Sequence, residues 1–378
     1  MKKPLIASLL AFSTLLAACG GATPAPTSAP SGGATATVAA NPCAVPVKAK
    51  CPDEASELVG AGATFPAPIY TKWVSEYNKL TGIQINYQPV GSGGGIKSLT
   101  DKTVDYGATD GPMTEAQLTA AGGASAVLHI PMVMGAVVPT YNIPGVTASL
   151  KFTPEVLAGI YLEQIKKWND PKITALNTGV TLPDAAITTV HRSDGSGTTY
   201  VWTDYLSKVS PEWKTRVGFA NSVNWPGGLG ASGNAGVAGS VKNTSGAIGY
   251  VELIYAIQNK LGYGTVQNSK GKFVEATLDS VTKAADGVTL PADMRVSITN
   301  SDNADAYPIS TFTWTLAYTE IANKAKAIGI ARWFWWSTHE GQAFAKDLGY
   351  APLPAGVVTK AEGMIRSITT GGVAALPK

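Results

Sequence analysis

Four glycine-flanked polar turns constrain this chain more than any other feature. They are Gly60-Ala61-Gly62-Ala63-Thr64-Phe65, Gly91-Ser92-Gly93-Gly94-Gly95, Tyr106-Gly107-Ala108-Thr109-Asp110 and His191-Arg192-Ser193-Asp194-Gly195-Ser196-Gly197-Thr198. Each reads as the end of a strand followed by a hydroxyl, carboxylate or guanidinium. Where such a turn opens a helix, unpaired backbone N–H groups and the positive end of the helix dipole favour a small anion. Repetition of the arrangement points to a chain built around an oxyanion.

The periodicity between these turns is α/β. Leu58-Val59-Gly60-Ala61 reads as a strand, and Ile69, Trp73, Tyr77 and Leu80 recur at helical spacing until Gly82 stops the run. Ile83, Ile85 and Tyr87 alternate as in a strand, Gly94 to about Lys102 reads as a helix, and Val104 to Ala108 as a further strand. The theme returns with a strand from Ala186 to His191 and a helix from Thr199 to Val209. Two sheets that face each other with these turns at their carboxyl ends would form a ligand cleft. Arg332-Trp333-Phe334-Trp335-Trp336 lies in a helical stretch expected from Asn323 to Leu348, closed by Gly349, and its aromatics are read as packing residues.

The amino terminus sets the compartment. Lys2 and Lys3 precede an apolar run from Leu5 to Leu16, too short to span a bilayer and flanked like a secretory signal. Leu16-Ala17-Ala18-Cys19-Gly20 resembles a bacterial lipobox, so residues 1–18 are expected to be removed and Cys19 acylated. A Gly/Ala/Thr/Pro/Ser-rich tether is expected over 19–57, since its first part lacks the apolar residues needed to fold. Cys43 and Cys51 could pair in an oxidising compartment; a metal site would need more thiol or imidazole ligands nearby. The formal charge of +3 falls to +1 once Lys2 and Lys3 are removed, which leaves no basic field for nucleic acid.

Two enzymatic motifs are approached and missed. The loop at 91–98 nearly spells a nucleotide-binding P-loop, but Ile96 stands where glycine must precede Lys97. Ser196 lacks the glycines two residues to either side that a nucleophile elbow needs, because Asp194 and Thr198 occupy those positions. His129, His191 and His339 have no motif context, and His191 reads as structural or rim-lining. Arg192 beside Asp194 offers instead an oriented fork of donors for a tetrahedral anion.

At this point a resemblance emerges. Gly60-Ala-Gly-Ala-Thr-Phe-Pro-Ala-Pro68, Gly91-Ser-Gly-Gly94, Asp105-Tyr-Gly-Ala-Thr-Asp110, Arg192-Ser-Asp-Gly-Ser-Gly-Thr198 and Gly246-Ala-Ile-Gly-Tyr-Val-Glu252 resemble the phosphate-binding protein (PstS type) of the bacterial high-affinity phosphate ABC transporter, from Leu58 to about Pro354. The resemblance implies a two-lobed type II periplasmic-binding-protein fold, with lobe I formed by 58–135 and 302–378 and lobe II by 136–301, crossing near Gly135 and Ser301. It implies phosphate contacts from Thr64, Phe65, Ser92, Asp110, Arg192, Ser196, Gly197 and Thr198, with Asp194 steadying Arg192. Gly93 stands where the family often has a second serine, so no side chain acts there. The implied protein is a monomeric, lipid-anchored binder on the outer face of the cytoplasmic membrane that uses neither cofactor nor metal and delivers phosphate to permease subunits. Another oxyanion such as sulfate or molybdate is the alternative ligand, and a phosphate-releasing hydrolase the alternative class.

Overall fold

A computed structural model describes residues 43–377. The signal, Cys19 and the tether as far as residue 42 lie outside the described residues. From 43 onward the tether expectation is corrected. Cys43 and Cys51 form a disulfide, with Cα atoms 4.7 Å apart, and Val47, Cys51 and Glu54 are buried. Fully buried Arg332 is the reason: its Nη1 and Nη2 donate to the Ala44 and Ala49 carbonyls at 3.1 and 2.6 Å, and its Nε donates to Glu54 at 3.0 Å. Glu54 also accepts from the Tyr77 hydroxyl at 2.9 Å and the Cys51 amide at 3.1 Å.

The first half alternates strand and helix: β1 (Glu57–Gly62), α1 (Ala67–Thr81), β2 (Gln84–Gln88), α2 (Ser92–Thr100) and β3 (Tyr106–Thr109). α1 buries Ile69, Tyr70, Trp73 and Tyr77. Gly82 ends it in the left-handed region at φ 74°, where glycine carries no Cβ penalty. Leu80 departs from the expected core stripe and is exposed.

β4 (Val127–Asn142) is the pivot of the architecture. Beyond it come β5 (Thr188–Arg192), α3 (Gly197–Val209), β6 (Leu229–Ala231), α4 (Gly233–Asn243) and β7 (Ala247–Glu252), then β8 (Ser310–Tyr318) and α5 (Lys324–Thr338). The strand order is β2-β1-β3-β8-β4-β7-β5-β6. β2-β1-β3 and β7-β5-β6 are parallel triplets, joined by antiparallel pairings through β8 and β4. The two sheets expected from the sequence are thus continuous, because β4 serves both: 127–136 pair with β8 and 137–142 with β7.

The expected helix through Leu348 stops earlier. His339 leaves helical geometry at φ −119°, ψ −91°, and two short 3-10 turns, Glu340–Phe344 and Lys346–Leu348, follow. The Gly341 carbonyl there accepts the Trp73 indole N–H at 2.6 Å, drawing the chain onto α1. The four aromatics of the Arg332 run are buried, and Trp333 packs edge-on against Tyr77 with ring centres 5.1 Å apart. Among the described residues no helix is long and apolar enough to cross a membrane.

Candidate functional site

Each turn singled out in the sequence lies where a parallel strand gives way to a helix or loop. Thr64 and Phe65 join β1 to α1, Ser92 opens α2, Asp110 follows β3, Arg192 ends β5, and Ser196-Gly197-Thr198 opens α3. All are buried. The Ser196 hydroxyl caps α3 by accepting the Thr199 amide at 3.1 Å, which satisfies one of the free N–H groups of the helix's first turn.

Hydrogen bonds tie the turns together. Ser92 Oγ accepts the Gly197 amide at 3.0 Å and the Asp110 amide at 3.3 Å. A Cβ on Gly197 would come within 2.5 Å of Ser92 Oγ and 2.6 Å of Asp110 Oδ2, so only glycine permits this approach. Gly93 serves the same closeness, since its amide donates to the Gly195 carbonyl at 2.8 Å and a Cβ would stand 3.1 Å from Gly195 Cα.

Arg192 is held by both oxygens of Asp194: Nε donates to Oδ1 at 2.7 Å and Nη2 donates to Oδ2. Its Nη1 reaches Thr198 Oγ1 at 3.4 Å. Burial works to raise the Asp194 carboxyl, but the Arg192 guanidinium and the Gly233 amide prevail and hold it below the ordinary carboxylate range. Asp110 behaves in the opposite way. Its burial is complete enough to push it up to about 7, against hydrogen bonds from Thr313 and Ser92 and the positive charge of Arg192.

Three further residues complete the cluster that the sequence reading had left without roles. Asn234, two residues into α4, donates through Nδ2 to Thr64 Oγ1 at 2.9 Å and Thr198 Oγ1 at 3.0 Å. Glu252 ends β7, donates its amide to Asn234 Oδ1 at 2.9 Å, and has a carboxyl raised by burial and by neighbouring Asp110. Thr313 of β8 donates to Asp110 Oδ1 at 2.9 Å. Glu252 stood within a quoted motif, whereas Asn234 and Thr313 carry no local signal. Phe65 is positioned by Tyr350, whose hydroxyl donates to its carbonyl at 2.7 Å, and its ring fills the space over Gly135.

Of the histidines, His191 touches the cluster only through its Nδ1 and the Arg192 backbone carbonyl, 3.0 Å apart. His191 stacks on Trp225 with ring centres 4.8 Å apart, and His129 Nε2 accepts the Met113 amide at 3.1 Å. His339 pairs with Glu362 at 3.0 Å and stacks on Trp335.

A continuous α/β fold of two parallel triplets, with an oriented guanidinium and small-residue turns meeting between them, defines a two-lobed solute-binding protein. The profile of the PBP superfamily domain matches residues 22–346. The phosphate-binding protein PstS of Pasteurella multocida is 45% identical over 310 residues, covering 81% of this chain and 89% of that protein. The protein of the same name from Methanocaldococcus jannaschii is 36% identical, covering 78% and 82%. The chain belongs to the PstS family of phosphate-binding proteins. Among solved structures, a periplasmic phosphate-binding protein (PfluDING) bound with phosphate superposes with a TM-score of 0.68 at 20% identity, covering 84% of this chain and 96% of that one. An ABC-type phosphate transport receptor from Vibrio cholerae does so at 0.52 and 18% identity, covering 79% and 100%. These likenesses establish the fold.

Proposed function

We propose that the protein captures inorganic phosphate outside the cytoplasm and delivers it to the permease of an ABC transporter. Thr64, Phe65, Ser92, Arg192, Ser196 and Thr198 donate to the phosphate oxygens, Gly197 lines the site with bare backbone while its amide holds Ser92 Oγ, Asp110 accepts the proton that phosphate carries, and Asp194 orients Arg192. The observation that carries this reading is the pairing of a clamped guanidinium with a buried carboxyl in one enclosure. A general anion site would exclude that carboxyl, whereas a protonated anion gives it a partner. Several hydrogen bonds at roughly 1–3 kcal/mol each, before ordering costs, exceed the ~8 kcal/mol of a micromolar complex.

Capture proceeds by closure of lobe I (58–135 and 302–378) on lobe II (136–301). The change of partner along β4, from β8 to β7 after Ala136, supports a pivot near Gly135. No covalent step, cofactor or metal enters this scheme, and the protein acts as a monomeric binder rather than an enzyme. Acylation at Cys19 holds it on the outer face of the cytoplasmic membrane, with the Cys43–Cys51 loop marking where tether meets domain.

One observation favours a second ligand under defined conditions. With its carboxyl raised to about 7, Asp110 is protonated in mild acid and offers an O–H to sulfate. Calorimetry of phosphate-stripped protein with phosphate, arsenate, sulfate and molybdate tests the assignment. Tight phosphate binding is expected, with sulfate rejected well above about pH 7 where Asp110 is ionised, and preference for sulfate or molybdate there would overturn it.

A further inference from the structure

Asn234 is fully buried, and every polar atom of its side chain is committed. Oδ1 accepts the Glu252 amide at 2.9 Å, and because that amide can only donate, the orientation of the Asn234 carboxamide is fixed. Its NH2 group must then face the two hydroxyls, donating one hydrogen to Thr64 Oγ1 at 2.9 Å and the other to Thr198 Oγ1 at 3.0 Å. Thr64 belongs to the turn after β1, on one side of β4 in the sheet, whereas Thr198 and Asn234 open α3 and α4 on the other. One amide therefore joins hydroxyls from both halves. It is no helix cap, since its bonds leave α4 for other elements.

The acceptor capacity of these hydroxyls decides the consequence. A threonine oxygen has two lone pairs and one hydrogen. Thr64 Oγ1 receives the Asn234 backbone amide at 3.2 Å as well as its Nδ2, which fills both lone pairs. Thr198 Oγ1 receives Asn234 Nδ2 and, at 3.4 Å, Arg192 Nη1. Each hydroxyl is left able only to donate.

We propose that Asn234 is a positioning residue that latches the two lobes across the bound anion and turns Thr64 and Thr198 into obligate hydrogen-bond donors. The inference rests on the phosphate reading. It adds two roles to that reading: an interlobe link that forms only on closure, and a polarity that suits ligand oxygens and repels groups that must donate. Ser92 follows the same logic, with its lone pairs occupied by the Asp110 and Gly197 amides.

Stopped-flow binding of phosphate to the full mature protein and to Asn234→Ala, Thr64→Val and the double variant tests the proposal. Loss of the one Asn234 side-chain bond that crosses between the lobes, to Thr64, should raise the dissociation rate of Asn234→Ala by about 3–10-fold, with association changed by less than about threefold. The double variant should dissociate little faster than the worse single one, because both changes remove the same link. Asn234→Asp keeps an acceptor for the Glu252 amide and guards against a folding defect. Its second oxygen can only accept while ionised, so it should also speed dissociation. Additive effects of Asn234→Ala and Thr64→Val, or a loss confined to association, would overturn the latch. Unchanged dissociation in both Asn234 variants would do the same. If the parent binds sulfate or molybdate instead of phosphate, the ligand assignment falls, and the latch is judged by the same rates measured with that anion.

Discussion

Ser92 Oγ accepts the backbone amide of Gly197 at 3.0 Å across 105 residues of chain, closing the first turn of α2 onto the first turn of α3. The bond needs a bare backbone on one side and a small hydroxyl on the other. Gly197→Ala should therefore lower phosphate affinity at least ~100-fold, because the added methyl group would meet Ser92 Oγ and Asp110 Oδ2 at 2.5 and 2.6 Å. Calorimetry measures the affinity. The melting temperature of the stripped protein should move much less, since in the closure proposed above the two turns meet only over the anion.

Arg192→Ala should weaken phosphate binding by at least about 2 kcal/mol, because it removes the guanidinium that Asp194 aims and leaves neutral donors. Arg192→Lys should recover little of the loss, since an ammonium cannot hold both Asp194 oxygens through Nε and Nη2 while Nη1 stays free for other partners. Equal phosphate affinities in parent and Arg192→Ala would take Arg192 out of the site.

Selectivity should titrate with Asp110. Its carboxyl is raised to about 7, so at higher pH it is an acceptor that phosphate can satisfy and sulfate cannot. Sulfate exclusion should be strong above that value and relax as pH falls through it, since the protonated group can donate. Asp110→Asn should keep much of the phosphate affinity and bind sulfate measurably at about pH 9, where Asp110 of the parent is ionised and rejects it. Sulfate exclusion as strong in the variant as in the parent would assign selectivity to other groups.

Asp110 also links stability to pH. The folded protein holds this proton more tightly than the unfolded chain, whose ordinary value is 3.8. The contribution is full below 3.8 and is lost as pH rises through about 7. In stripped protein, the melting temperature of Asp110→Asn relative to the parent should rise between about pH 4 and 7 and level off above. A constant difference would contradict the buried state of the carboxyl.

The Glu54–Arg332 pair anchors the disulfide loop to α5. Arg332→Met leaves the buried Glu54 carboxylate without its cation and should destabilise the protein by about 3–5 kcal/mol in denaturant unfolding. Phosphate affinity in the folded variant should stay near that of the parent, because neither residue touches the anion cluster.

Cys19→Ser should release the exported protein from membranes, since acylation needs the thiol. Retention of the variant in the membrane pellet at unchanged mass would rule out the anchor.

What was legible in the sequence was local. Gly82 marked the end of α1 because a left-handed residue is needed there, and the Gly60, Gly91 and Arg192 turns were visible because strand-to-helix turns demand small residues within a few positions. Their shared character was enough to point to an oxyanion. The tertiary structure decided which turns meet and what stands behind them. Asn234 lies 170 residues from Thr64, and Thr313 lies 203 from Asp110, so their pairing depends on strand order, which no local pattern encodes. Arg332 sat in an aromatic run that announced packing, yet its charge is buried only because Glu54 and two loop carbonyls fold over it. Likewise β4 carries none of the motifs singled out in the sequence. Its change of partner after Ala136 arises because long-range pairing is fixed by the whole sheet, whereas helix stops and turns are fixed by the dihedral limits of single residues.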